Sequence, residues 1–412
     1  MAGQRLAIAA ADGGSFSGYL ALPPSGSGPA IVLLQEIFGV TAHLRSLADF
    51  YAEEGFVTLA PDLFWRIEPG VELTASDAGR RQGLDYLARF DFERGLDDLA
   101  AAIATLRARP ECNGKVGALG FGMGGRLAWM AAARCEVQVA VGYYPLGLET
   151  LLDQAPSIRR PALFHFAAED QLCPEPTRER IRAAMAGNAL VESYVYPRVR
   201  HGFNNRDDET AFDRFAATFA HSRTLEFVRR AIGPHYDLAA LWENHLHWEF
   251  VAKDADETMK TMVPEPYVNH VPTMTGGYGF KDLRRFYKHH FIPGTPRDMT
   301  SKHISRTMMG DRLVEETVAC FTHDVEIDWL LPGVPPTGRY IEVPLVAIVQ
   351  FRGGKVYNEH IYWDQASVLV QAGLLEAGKL PVAGVESARK MLDQSLPANR
   401  LMPRWKESAD LD

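Results

Sequence analysis

Short apolar runs bounded by turn residues alternate with amphipathic stretches from about residue 30 to residue 228. The stretch from Phe92 to Arg107 repeats Leu, Ala and Ile at helical spacing, so it should cover one face of a sheet. Strands that alternate with such helices are typical of βαβ units around a mostly parallel, doubly wound sheet, and we predict an α/β fold here. The candidate strands are AIVLLQE, FVTLAPD, KVGALGF, VQVAVGYY, PALFHFA and LVESYVY.

The pattern changes after Ile232. A helical stretch from Leu238 to Met262 comes first and is followed by loops rich in Pro and Gly. Extended runs then span Arg312 to Leu331, Ile341 to Phe351 and Lys355 to Asp364, and a Gly-Gly pair joins the last two as in a hairpin. Helices followed by hairpins indicate an α+β fold for this second part.

The length and composition of the chain agree with this division. A chain of 412 residues exceeds what one hydrophobic core usually serves, so two domains are expected. With 47% hydrophobic and 23% charged residues, both should be globular. We assign residues 1–234 to the α/β domain and residues 235–380 to the α+β domain. Residues 381–412 are predicted to form a C-terminal tail that lies on the surface or is partly disordered.

Charge and cysteine content exclude several classes of function. The net charge of −9 comes without a long acidic or basic block, so nucleic acid is not an expected partner. No run of 18 apolar residues and no signal-like N-terminus occurs, and we predict a cytoplasmic protein without membrane contact. The four cysteines lack CxxC spacing and should be free thiols. The sequence has no HExxH motif or EF-hand loop, so we predict neither a metal nor another cofactor.

A sharp turn between a strand and a helix carries the first candidate chemistry. The segment KVGALGFGMGGRLAWMAAAR has the order strand, Gly-rich turn and helix, which is the setting of a nucleophile elbow, G-x-(nucleophile)-x-G. Gly120, Gly122 and Gly124 occupy the three fixed positions, so the nucleophile position holds Gly122. Glycine adopts the strained elbow backbone at little cost, but it carries no reactive atom.

The same segment also fits G-x-G-x-x-G through Gly120, Gly122 and Gly125. A dinucleotide-binding fingerprint normally opens its domain and is followed about 20 positions later by an acidic residue. Here more than a hundred residues precede the segment, and Glu136 comes too soon. The elbow interpretation is therefore favoured, and a nicotinamide cofactor is not expected.

Two further polar residues follow strands in the order of an α/β-hydrolase triad. Asp170 comes after PALFHFA and His201 comes after LVESYVY, so both fall at strand ends. The chain order of elbow, Asp and His is that of α/β-hydrolases. A lone Asp or His in such a place would be an ordinary loop residue, but with the elbow they indicate a triad whose nucleophile is missing.

These motifs together resemble the dienelactone hydrolase (carboxymethylenebutenolidase) family over about residues 10–230. The resemblance implies an α/β-hydrolase fold and hydrolysis of a small lactone or ester that bears a carboxylate. In that family the elbow residue is a Cys, and a Glu that corresponds to Glu36 accepts its proton, since only the thiolate is nucleophilic. The motifs that carry the resemblance include LLQEIFG, FDFERGLDDL, AVGYYP, AAEDQLCP and RHGFNNR.

The resemblance also implies a set of substrate-binding groups around the elbow. The backbone N–H groups of Ile37 and Met123 are expected to form an oxyanion hole, which does not depend on the elbow side chain. Arg81 and Arg206 are expected to bind the substrate carboxylate, since a guanidinium fork suits that task. Cys173 is a less favoured alternative nucleophile, because the family pattern does not place one there.

Three interpretations of Gly122 stay open. A water activated by His201 could support weak hydrolysis, because a triad site without its nucleophile retains about 10³–10⁴-fold over water. The pocket could instead bind an acidic or lactone-like ligand without turnover. The glycine could also be a substitution introduced to trap a substrate.

The second domain resembles the SnoaL-like branch of the NTF2 superfamily over about residues 236–376, through segments such as VEETVACFTHDVEIDWLLPGVPPTG and NEHIYWDQASVLVQAGLL. The resemblance implies a cone of curved sheet around a pocket. Strand parity assigns His323 and His360 to faces that point inward. Asp364 shares the face of His360 and corresponds to the acid/base carboxylate of SnoaL-like cyclases. An apolar cone would raise the pKa of this carboxyl group.

The sequence therefore favours a hydrolase of small-molecule lactones or esters, centred on Glu36, Asp170 and His201. The competing enzymatic hypothesis is a cyclase or isomerase centred on Asp364, with the hydrolase-like domain as a binding unit. The non-enzymatic alternative is a binding protein whose NTF2-like domain forms a homodimer.

Overall fold

A computed structural model of the protein describes residues 3–409. The chain divides into two compact units, Met1–His235 and Tyr236–Asp412, one residue beyond the division predicted from the sequence. No helix within the described residues has the length and apolar character that crossing a membrane requires.

The first unit is built on an eight-stranded sheet in the order β1-β2-β4-β3-β5-β6-β7-β8. The edge strand β1 is antiparallel to β2, β2 is antiparallel to β4, and all pairs from β4 through to β8 are parallel. This is the mostly parallel α/β sheet that the apolar runs predicted. The strands are β1 Gln4–Ala9, β2 Ser15–Ala21, β3 Gly28–Leu34, β4 Val57–Pro61, β5 Cys112–Phe121, β6 Val139–Tyr143, β7 Ala162–Ala167 and β8 Val191–Tyr196.

Helices cover both faces of this sheet, because alternate side chains of β3 pack against different helices. Val32 and Leu34 pack with the helices α3 and α4, whereas Ile31 and Leu33 pack with α1 and α6. Because both faces are buried, the central strands are continuous apolar runs. The helices are α1 Ala42–Glu53, α2 Asp77–Arg89, α3 Phe92–Arg107, α4 Met123–Arg134, α5 Glu175–Met185 and α6 Arg214–Ile232.

The second unit contains a six-stranded sheet in the order β10-β9-β14-β13-β12-β11. The pairs are antiparallel except β9 with β14, which is parallel. The predicted hairpin through Gly353-Gly354 joins β13 to β14. The strands are β9 Met262–His270, β10 Thr275–Tyr278, β11 Thr300–Met309, β12 Arg312–Thr322, β13 Tyr340–Arg352 and β14 Lys355–Trp363.

Two elements of the second unit are shorter than their patterns predicted. The helical stretch that begins at Leu238 is divided by a π-helical turn, His247–Val251. The extended run from Arg312 stops being a strand at Thr322, because the chain closes a loop there, with the His323 N–H donating to the Arg339 carbonyl at 2.9 Å. The helices are α7 Leu238–Leu246, α8 Ala255–Lys260, α9 Phe280–Phe286, α10 Gln365–Ala372 and α11 Glu386–Leu392, and a second π-helical turn spans Tyr287–Phe291.

Part of the predicted C-terminal tail packs on the sheet of this unit. In α11, Ala388 is fully buried against Val318 and Cys320. Arg389 donates to Glu342 Oε1 from both Nε and Nη2, at 3.0 and 2.9 Å. The segment after residue 380 therefore contributes an ordered helix to the α+β domain.

Candidate functional site

Gly122 lies at the turn between β5 and α4, where the elbow motif predicted it. Its backbone angles, φ +55° and ψ −111°, fall in a region that L-amino acids rarely adopt. Gly124 is required for close packing, since a Cβ there would stand 2.5 Å from the Leu34 carbonyl oxygen. A Cβ at Gly122 would stand 3.6 Å from His201 Nε2 and 4.0 Å from Glu36 Cγ, so this position has room for a side chain.

His201 and Asp170 meet in the loops that follow β8 and β7. His201 Nδ1 lies 2.9 Å from Asp170 Oδ2, and the other carboxylate oxygen accepts the Leu172 N–H at 2.9 Å. Asp170 is only 3% exposed, so its carboxylate holds the ring with Nδ1 as the donor. The imidazole packs edge-on against the Tyr144 ring, and its Nε2 faces the elbow.

Glu36 follows β3 and faces the same turn. Its Oε2 accepts a hydrogen bond from Asn205 Nδ2 at 2.7 Å. Burial raises the pKa of this carboxyl group, while Tyr144, His201 and Asn205 act to lower it. The carboxyl group of Glu36, a partly buried residue, is therefore placed to accept a proton beside the elbow position.

Glu36, Gly122 and His201 line one cavity of about 370 Å³. It lies beyond the carboxyl ends of parallel strands, where open α/β sheets bind ligands. Ile37 and Met123, the residues expected to form the oxyanion hole, line the same cavity. Met123 is the first residue of α4, so its N–H has no acceptor within the helix and can serve a bound oxyanion.

The arginines that line the cavity differ from those that the resemblance implied. Arg81 and Arg206 are exposed and do not line it, whereas Arg80 and Arg200 do. Successive helical residues point about 100° apart, so one position along α2 decides whether a side chain reaches the cavity. Arg80 donates both Nη groups to Asp208, at 2.7 and 2.8 Å. Arg200 has no ion pair within residues 3–409 and remains available to an anionic ligand.

Cys173 does not line the cavity. Burial raises the pKa of its thiol to about 11, which disfavours the nucleophilic thiolate.

Tyr144 and Asn205 are site residues that sequence reasoning missed. Tyr144 has a positive φ of +34°, an uncommon conformation for a bulky residue, and no feature of the sequence indicated it.

The second unit contains a larger cavity of about 770 Å³. Its walls are mainly aromatic and aliphatic, with Glu249 and Glu359 among the polar groups. Both glutamates approach His245: burial lowers the pKa of this histidine, but the two carboxylates outweigh burial and raise the pKa to about 10. The aromatic rings of the wall include Trp242, Phe250, Phe291 and Trp329.

The residues that line this cavity differ from those that strand parity predicted. On β14, Glu359 and Ile361 line the cavity, whereas His360 packs against Tyr267 and does not line it. Asp364 is exposed and caps α10 by accepting the Ala366 N–H at 2.9 Å. Asp364 does not line the cavity, so its carboxylate lies away from a ligand bound there.

His323 also lies outside the cavity lining. Its Nδ1 lies 3.1 Å from the Thr337 hydroxyl, within the loop that follows β12. The expected inward face depended on a strand that continues past Thr322, and the strand ends at that residue.

Known proteins resemble the first unit in sequence. The profile of the "Dienelactone hydrolase family" matches residues 16–232. A carboxymethylenebutenolidase of Pseudomonas putida is 37% identical over 224 residues, covering 54% of this chain and 94% of that protein. Carboxymethylenebutenolidase 1 of Cupriavidus pinatubonensis is 38% identical over 222 residues, covering 54% and 94%. A crystal structure of a putative dienelactone hydrolase from Klebsiella pneumoniae is 28% identical, with a TM-score of 0.49, covering 56% of this chain and all of that one.

Proposed function

The chain belongs to the dienelactone hydrolase family, hydrolases of ester and lactone bonds, and on this premise we propose that its first domain hydrolyses a small carboxylate-bearing lactone or ester slowly, with water as the nucleophile. The proposal takes Gly122 as the cause of the low rate, because no covalent intermediate can form at that position. The remaining groups of the site keep their roles as base, orienting carboxylate and oxyanion hole.

The position of His201 is the observation that carries the proposal. Its Nε2 faces the space beside Gly122, 3.6 Å from the point that a Cβ would occupy. A water bound there can give its proton to Nε2 while attacking the substrate carbonyl, and Asp170 stabilises the imidazolium that forms. The N–H groups at the start of α4 and after β3 would stabilise the tetrahedral oxyanion.

Removing the base tests this mechanism. The change His201→Gln is expected to lower kcat/KM for 4-nitrophenyl esters and dienelactones by about 100-fold, because general-base catalysis is lost while the oxyanion hole remains. His289→Gln, an exposed change in the second domain, should leave the rate unaltered. Equal rates for parent and His201→Gln would mean that any hydrolysis arises elsewhere.

We assign recognition of the substrate carboxylate to Arg200. Arg80 already pairs with Asp208, so Arg200 supplies the unpaired positive charge of the cavity among the described residues. The change Arg200→Gln is expected to raise KM for carboxylate-bearing lactones by about 10-fold, the loss of one exposed charge-assisted contact. A neutral aryl ester should show no such change, so a parallel rise in its KM would contradict the assignment.

For the second domain, we infer a SnoaL-like, NTF2-type fold. Helices that precede a strongly antiparallel sheet with a cavity support this inference, as does the order of the resembling segments. The cap role of Asp364 gives no support to cyclase chemistry centred on that residue. Homodimerisation through this domain stays a prediction.

A further inference from the structure

A histidine and two glutamates from separate segments meet at the wall of the second domain's cavity. His245 lies in α7, Glu249 lies one helical turn later, and Glu359 lies in β14. One carboxylate oxygen of Glu249 and one of Glu359 lie 3.0 and 3.2 Å from His245 Nε2. The three residues are 0%, 4% and 3% exposed. Two carboxylates at one buried point require positive charge between them, which a protonated His245 or a bound cation can supply.

The spacing of these atoms is that of ligands around a common centre. His245 Nε2 approaches both carboxylates, and one ligand atom from each of the three residues lies within 4.8 Å of the others. Nitrogen and oxygen ligands held about 2.1 Å from one ion, at angles of about 90–110°, lie about 3.0–3.4 Å from each other. The separations of 3.0 and 3.2 Å fall within that range.

Thr261 fixes the tautomer of the histidine. Its hydroxyl donates to the Thr258 carbonyl at 2.6 Å, so it can only accept from His245 Nδ1, which lies 2.5 Å away. Metal binding would displace the proton from Nε2, and the ring would then direct its Nε2 lone pair at the space between the two carboxylates. An N–H held on the far ring nitrogen is the usual outer contact of a metal-binding histidine.

A buried hydroxyl and unusual helix geometry mark the same point. Tyr287 is 1% exposed, and its hydroxyl lies beside the carboxylates of Glu249 and Glu359. Glu249 and Tyr287 each lie in one of the two π-helical turns. Such turns are rare and occur frequently at functional sites.

We propose that His245, Glu249 and Glu359 bind one divalent transition-metal cation, such as Zn²⁺ or Mn²⁺, with its remaining coordination positions open to the cavity. Two carboxylates balance the charge of a divalent ion, and the imidazole ligand favours a transition metal over Mg²⁺ or Ca²⁺, which prefer oxygen ligands. Three protein ligands with open positions are typical of catalytic sites, whereas structural zinc sites have four.

The cavity indicates the class of molecule that such an ion would meet. Glu249, Glu359 and Tyr287 line it, so the ion would lie at its wall. The rings of Trp242 and Trp329 lie among the other lining residues. These surroundings suit an apolar, ring-bearing ligand that presents one oxygen group to the metal.

Metal titration of the full-length, chelator-treated protein tests the proposal. CoCl₂, followed by visible absorption, and ZnCl₂, followed by calorimetry, are expected to bind with one equivalent per chain and a Kd in the micromolar range or below. The change Glu359→Gln removes a ligand and should weaken binding by about 100-fold or more. Thr261→Val keeps all three ligands but loses the contact to Nδ1, and should weaken binding by about 10-fold or more.

A matched change outside the cluster provides the control. Glu257→Gln alters a partly exposed carboxylate of α8 that pairs with Lys260, outside the cluster, and should leave the affinity unchanged. The proposal is overturned if the parent protein binds neither ion, or if Glu359→Gln and Thr261→Val both bind as tightly as the parent, since the ion then lies elsewhere. Should Glu359→Gln fail to fold, Thr261→Val alone decides, because it preserves shape and charge.

Discussion

Gly122→Cys is expected to raise kcat/KM for aryl esters and dienelactones by about 10³-fold or more, with a burst of product that matches the protein concentration. The reason is geometric. A Cβ at this position stands 3.6 Å from His201 Nε2 and 4.0 Å from Glu36 Cγ, so the new thiol would have two proton acceptors within reach. The parent protein should show no burst, because its site offers no atom at that position to acylate.

Two matched variants separate the thiol from the backbone change. Gly122→Ala imposes the same strain, about 1–3 kcal/mol for a side chain at φ +55°, without adding a nucleophile, and should hydrolyse no faster than the parent. Adding Glu36→Gln to the thiol variant should lower its rate, since one acceptor of the thiol proton is lost. A thiol variant no faster than Gly122→Ala would contradict the proposed assembly of the site.

Acidification from pH 7 to pH 4 is expected to remove about 3 kcal/mol of stability through His270 alone. Burial lowers the pKa of this histidine from 6.5 to about 4. The side chain is 4% exposed and packs among the rings of Phe286, Phe291 and Trp329. His165 in the first domain behaves in the same way, because full burial lowers its pKa well below the ordinary value.

The sign follows from which state binds the proton. Below pH 6.5 the unfolded chain protonates this histidine, whereas the folded protein keeps it neutral until about pH 4. The unfolded state then binds more protons, so stability falls as the pH falls through this window and is fully retained above it. The slope is about 1.4 kcal/mol per pH unit for one histidine.

Denaturant unfolding of the parent and of His270→Gln at pH 7 and pH 4.5 measures this contribution. The variant should be less stable at pH 7, and the difference should shrink at the lower pH, because the variant has no group to titrate. Comparison within the pair removes the contribution of other titrating groups. His289→Gln, at an exposed site, should retain the pH dependence of the parent. If parent and His270→Gln differed by the same free energy of unfolding at both pH values, His270 would not be a buried histidine that stays neutral in the folded protein.

The elbow and its partners were predictable because each has a local signature. Gly120 and Gly124 are required because a Cβ would stand 2.1 Å or 2.5 Å from a backbone oxygen, so their spacing is visible in the sequence. Asp170 and His201 are marked by the strands that precede them. Arg80 had no such signature in the sequence. The exposed Arg81 is adjacent to it, and the two side chains differ only in their direction around the axis of α2.

The inward face of β14 was not predictable from the pattern of that strand. A charged residue such as Glu359 is normally assigned to solvent, and here it is buried because His245 lies 3.2 Å away. That partner is more than a hundred residues distant in the chain, so no local spacing reveals it. The register shift beside Asn358 further weakens a parity argument that counts in steps of two.

The central claim is that distant segments converge on the turn at Gly122 to form one hydrolytic site that lacks only its nucleophile. Peptide mass spectrometry of Gly122→Cys, acid-quenched during turnover of a 4-nitrophenyl ester, tests it directly. We predict one acyl group per chain, on the peptide that spans residue 122, and no acyl group on Gly122→Ala. Acylation of Cys173 instead, or of no residue at all, would contradict the claim.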